Sequence, residues 1–96
     1  MDNDLKKAYQ EKMEKQMKEW GGKLEELKNR AESLNADAKV KALEKIESLK
    51  SKMKAGDKSL EQLKGSGEDQ WDELKMKLDG TLEGIKNGIE DIKSRF

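Results

Sequence analysis

From Met13 to Leu63 the apolar or small residues recur at every third or fourth position: Met13, Met17, Trp20, Leu24, Leu27, Ala31, Leu34, Ala38, Ala42, Ile46, Leu49, Met53, Gly56, Leu60 and Leu63. The stripe covers 50 residues in 14 steps. Its mean step of about 3.57 lies between the 3.5 of a supercoil and the 3.6 of a straight helix, and the four-residue steps through Ala38, Ala42 and Ile46 form a stutter that locally unwinds a supercoil. Leu5 and Tyr9 extend the stripe upstream. Only a helix presents such positions on one face, so the spacing predicts an all-α protein. Composition alone leaves this open: a 96-residue chain with 44% charged and 32% hydrophobic residues also fits the profile of disorder.

The residues between the stripe positions support helix. Glu11/Lys15, Glu14/Lys18, Glu19/Lys23, Glu26/Arg30 and Asp37/Lys41 place an acid four residues before a base, each pair adding a few tenths of a kcal/mol to an exposed helix. Punctuation is sparse. Gly21-Gly22 and Gly56 fall within the stripe, where each loosens or bends a helix without ending it. Gly65-Ser66-Gly67 reads as the stop: Gly65 suits a left-handed helix end, and Ser66 with Asp69 three residues on resembles a capping box. The stripe then resumes as Trp71, Leu74, Leu78, Leu82, Ile85, Ile89, Ile92 and Phe96.

The favoured architecture is therefore a single domain, residues 1–96, in which a long helix over 4–64, bent near 21–22 and 56, turns at 65–67 into a shorter antiparallel helix over 68–95. A continuous helix of that length spans about 90 Å, and the second, about 42 Å, covers only half of it. The alternative breaks the first helix within 33–37 and closes a three-helix bundle. With the long helix, Leu5, Tyr9, Met13, Met17, Trp20, Leu24 and Leu27 have no intramolecular cover, which predicts a homo-oligomer, a dimer for preference, or a protein partner on that seam. Charge agrees with the hairpin. Residues 33–64 carry eight positive and five negative side chains and residues 65–96 the reverse, five and eight, so a basic segment lies beside an acidic one.

The inventory excludes much chemistry. Without Cys, His or Pro there is no disulfide, thiol nucleophile, His-based catalysis or common zinc site, and a di-iron bundle lacks its Glu-x-x-His motifs. Adjacent acids such as Glu25-Glu26 and Glu90-Asp91 read as solvated faces. Asp2-Asn3-Asp4 matches the opening of an EF-hand loop but lacks the later Gly and Glu. No catalytic, cofactor or metal residue is assigned. A net charge of zero argues against nucleic acid as partner. No signal peptide or membrane span is evident, so the expected compartment is the cytoplasm.

Two further features point to contacts. Gly80, Gly84 and Gly88, four residues apart, offer a narrow strip for close helix packing. The face made by Leu82, Ile85, Ile89, Ile92 and Phe96 suits either a core or, as an alternative function, a lipid or granule surface. The acidic opposite face makes a membrane the lesser expectation.

Three segments together carry a resemblance: Ala8-Tyr9 leading to Glu14, Met17 and Trp20; the Ala-rich stretch from Ala31 through Asn35-Ala36-Asp37-Ala38-Lys39 to Ala42; and Gly65-Ser66-Gly67-Glu68-Asp69-Gln70-Trp71-Asp72-Glu73-Leu74-Lys75. Over about 9–96 the chain resembles small bacterial coiled-coil proteins of cyanobacteria and proteobacteria described as stress-response proteins. It departs from them at Gly21-Gly22 and Gly56, where helix formers are expected. The resemblance implies a stress-associated, non-enzymatic protein and transfers no catalytic residue.

Overall fold

The structure, a computed structural model, describes residues 3–95 and is all-helical. Helix α1 runs Asn3–Ala31, α2 Ala36–Lys64 and α3 Glu68–Lys93, and among the described residues there is no strand. Phe96 and Asp2, named above in the stripe and the loop-like start, lie outside the described residues.

The long helix over 4–64 is thus two helices of 29 residues each. Residues 32–35 turn the chain, and the physical agent of the restart is Asn35. Its ψ of 166° leaves the helical region, and its side-chain oxygen accepts from the Ala38 N–H at 3.0 Å, satisfying one of the donors that a helix start leaves unpaired. Ahead of it the Ser33 and Leu34 N–H groups donate to the Arg30 and Ala31 carbonyls, which closes α1 with tight turns. The molecule measures 51 × 18 × 17 Å, close to the ~43 Å of a 29-residue helix and far from 90 Å.

Interhelical pairs give the directions. Lys64–Glu14 and Lys50–Glu25 tie α1 to α2 with falling numbers on one helix and rising numbers on the other, Lys39–Glu32 continues that order into the turn, and between α2 and α3 the neighbours Gly56/Thr81, Leu49/Gly88 and Lys45/Asp91 run in the same opposed order. Both neighbouring pairs are antiparallel, as a three-helix bundle requires. One stripe from each helix faces the axis: Met13, Met17, Leu24, Leu27 and Ala31; Ala42, Ile46, Leu49, Leu60 and Leu63; Trp71, Leu78, Leu82, Ile85, Ile89 and Ile92. The α3 face considered above for a lipid surface is therefore core. The α2–α3 pair packs most closely and α1–α3 least.

At the second turn, 65–67 is located as expected but works differently. Gly65 sits at φ −92°, ψ 0°, not in the left-handed region. Gly67 is the N-cap of α3, and the Ser66 hydroxyl donates backwards to the Leu63 carbonyl at 2.8 Å, so no capping box forms. The glycines within the stripe interrupt no helix. Gly56 is where all three helices converge, since a Cβ there would stand 3.1 Å from Met17 Sδ, 3.7 Å from Thr81 Cγ2 and 3.9 Å from Leu82 Cδ2.

Candidate functional site: a groove between α1 and α3 around Trp20

The seven residues expected to form an uncovered seam divide in the structure. Met13, Met17, Leu24 and Leu27 are buried in the molecule's own core, Tyr9 and Trp20 are half-buried against it, and Leu5 stands exposed. The extended seam is consequently not a free surface. The break at 32–35 folds α1 back so that α2 and α3 cover it.

Gly80, Gly84 and Gly88 do not act together either. Four residues advance a helix by 400°, so each successive glycine is rotated 40° from the last. Gly80 and Gly84 meet open space; only at Gly88 would a Cβ collide with Leu49, whose Cδ1 would lie 3.1 Å away and Cδ2 nearer still. Close approach occurs at Gly88 and Gly56.

What remains open is the loosest helix pair. Between α1 and α3 lie two shallow grooves, of about 420 Å³ and 300 Å³, that share Gln16, Trp20 and Lys86. Trp20 stands between them. The first is completed by Glu19, Lys23, Ile89, Glu90 and Lys93, the second by Lys12, Met13, Asp79, Leu82 and Glu83. Their floor is apolar or aromatic and their rims alternate in sign. A larger concavity, about 610 Å³, lies at the α2–α3 turn, but Leu74 is the only large apolar side chain in its lining.

Below the groove, the α1–α3 contact is fastened by a polar aromatic cluster. Tyr9 meets Trp71 edge to face at 5.7 Å between ring centroids and donates its hydroxyl to Asp79 Oδ1 at 2.5 Å. Lys6 lies 5.4 Å from the Trp71 ring centroid and Lys75 5.1 Å from that of Tyr9, within cation–π range. Burial, then the hydrogen bond to Asp79 and its negative charge, hold the Tyr9 phenol well above its ordinary pKa. Trp71 is buried, and its indole N–H has no hydrogen-bond partner. Sequence reasoning placed Tyr9 and Trp71 on their stripes but missed Lys6, Lys75, Asp79, Gln16 and Lys86. A signal was there only in part: Tyr9 lies near the start of the first stripe and Trp71 starts the second, and the first residues of α1 and α3 share one end of a three-helix bundle.

No group of three or more Asp or Glu that could hold a metal ion is assembled among the described residues, and no helix of the described chain is long and apolar enough to cross a membrane. Fold and groove define a small three-helix bundle with one loosely packed helix pair. No protein-family model, curated protein or solved structure matches the chain.

Proposed function

We propose that the protein is a non-enzymatic helical binding module that takes an amphipathic helix of a protein partner into the α1–α3 groove. The observation carrying this reading is Trp20, a half-buried indole between two concavities floored by Met13, Leu82 and Ile89. A large aromatic on a weakly packed seam is the kind of anchor that dominates helix-in-groove recognition. Lys12, Lys23, Lys86 and Lys93 alternate with Glu19, Asp79, Glu83 and Glu90 along the rims, which suits a helix with apolar residues at i, i+3, i+4 and i+7 and both signs of charge beside them. The stress-associated setting implied by the sequence resemblance belongs to this proposal. A lipid or granule surface is the weaker reading, because Leu82, Ile85, Ile89 and Ile92 would have to leave the core to reach it.

The test is selection of displayed amphipathic-helix peptides against the intact protein, followed by titration of each selected peptide into the wild type and Trp20→Ala. Loss of a hot-spot anchor costs about 2 kcal/mol, so binding should weaken roughly 30-fold. Selected helices that bind Trp20→Ala as tightly as wild type, or a selection that enriches none, would refute the groove reading.

A further inference from the structure

We propose that α1 is an exchangeable arm: two copies of the chain open at residues 32–35, each making one continuous helix from α1 through α2, and each α1 packs on the α2–α3 pair of the other copy. The occupant of the α1 surface is then a second copy of this chain. Swapping is a low-cost route to a symmetric dimer, because it re-forms between chains the contacts already made within one.

Four observations converge on the hinge. The apolar stripe keeps its three- and four-residue steps across it, through Leu27, Ala31, Leu34, Ala38 and Ala42, so a straightened helix presents one unbroken face. The connection contains no Gly or Pro, and no described residue has a positive φ. At Asn35, φ is −65°, already helical, and the departure lies in ψ. The loop is held shut by exposed polar contacts, the Asn35 cap and the Glu32–Lys39 ion pair at 2.7 Å, whereas the Ser33 hydroxyl on the Arg30 carbonyl is a bond that a continuous helix also keeps. The cap and the ion pair are contacts of the closed form.

The rest of the molecule sets which part moves. Since α2 and α3 form the closest pair and α1 packs loosely on α3, the hairpin stays together and α1 is the arm. Its clasps, Glu14–Lys64 and Glu25–Lys50, join α1 to α2 and re-form between copies. Each groove around Trp20 is rebuilt from α1 of one copy and α3 of the other, so this inference does not depend on the groove's ligand.

The experiment unfolds a 1:1 mixture of ¹⁴N- and ¹⁵N-labelled chains, refolds it at high concentration, isolates the dimer and links adjacent Lys and Glu with a carbodiimide. Expected are isotope-mixed Glu14–Lys64 and Glu25–Lys50 links and a maximum dimension near 90 Å by small-angle scattering, the length of one continuous helix. Ala36→Pro stands at the first helical position, which tolerates proline, yet forbids a helix through the hinge; it should fold as a monomer and lose the dimer. Asn35→Ala removes the cap of the closed form, an effect of about fivefold per chain and hence roughly 30-fold tighter dimerisation. Links confined to single isotopes, a dimer as strong in Ala36→Pro as in the wild type, or no dimer from the wild type at any concentration would overturn the proposal. The isotope result decides even if Asn35→Ala fails to fold.

Discussion

At the level of single residues, the glycines show how little a motif says before its surroundings are known. Gly80, Gly84 and Gly88 are chemically identical and evenly spaced, yet only Gly88 abuts another side chain, that of Leu49. In a helix interior, Gly to Ala is worth up to about 1 kcal/mol of stability. Gly80→Ala and Gly84→Ala should each gain most of that, because a methyl group there meets nothing. Gly88→Ala must displace a buried Leu49 and should gain nothing or lose about 1 kcal/mol. Urea unfolding of the three variants checks this, and equal gains at all three positions would contradict the packing at Gly88. The same contrast marks the limit of sequence reading at this scale. The spacing of Met13, Met17, Leu24 and Leu27 correctly marked an apolar face, but a face pattern does not say whose surface covers it. Trp20 and Leu24 look alike in the stripe, and only the crossing of α1 over α3 leaves the first half-buried and the second enclosed.

Among elements, the two connections reverse the usual value of glycine as punctuation. The turn with two glycines is the plainer in the sequence, whereas the turn at 32–35 has none, lies under a stripe that keeps step across it, and entered only as the alternative of a break within 33–37, which is the one the fold adopts. The reason is conformational: glycine is required where φ is positive, and neither turn uses a positive φ. Asn35 was the available signal, since asparagine is among the best N-caps and its side chain holds the Ala38 N–H. The helix pairs within the acid-before-base pattern were likewise a poor guide to the ion pairs formed, because lysines such as Lys50 and Lys64 reach across to α1. For the second turn, the cap assignment makes a prediction. Gly67 is an N-cap with no side chain to bond, at φ −80° and ψ 174°, a conformation open to any residue. Gly67→Asp should supply the missing acceptor and stabilise the bundle by about 0.5 kcal/mol, with the helix dipole in its favour. Ser66→Ala should cost no more than about 0.5 kcal/mol, as the Leu63 carbonyl that Ser66 Oγ bonds also receives the Ser66 N–H. A loss of 1 kcal/mol or more in Ser66→Ala, measured by chemical denaturation, would instead assign the cap to Ser66.

For the molecule as a whole, charge acts as a set of clasps between helices more than as attraction between a basic and an acidic segment. The expected neutralisation of α2 by α3 is represented by Lys45–Asp91 at 2.5 Å, while α1 is tied to α2 at two levels along its length and the turn that joins them by Glu32–Lys39. Titration should expose these clasps. Hydrogen bonding to Lys50, Lys39 and Lys45, reinforced by their positive charge, holds Glu25, Glu32 and Asp91 below their ordinary values of 4.5, 4.5 and 3.8. A carboxylate whose pKa is depressed by folding stabilises the native state above its unfolded value, and that contribution is lost as pH falls through the folded one. The melting temperature should therefore hold level down to about pH 5 and decline below it, by little for each exposed pair. The alkaline limb has the opposite sign. Tyr9 is raised above 10.0, chiefly by burial and then by Asp79, and Lys64 above 10.5 by its bond to Glu14, so both favour the bundle until pH climbs past the unfolded values. Thermal melts followed by circular dichroism should show stability falling above about pH 10, where the unfolded chain releases protons that the folded one retains. Tyr9→Phe keeps the ring against Trp71 and removes the phenol. It should lower the melting temperature at neutral pH through the lost bond to Asp79, worth roughly 1 kcal/mol, and flatten the alkaline decline. An alkaline limb as steep in Tyr9→Phe as in the wild type would remove Tyr9 from this role and leave Lys64, held by Glu14, as the group that couples α1 to α2 at high pH.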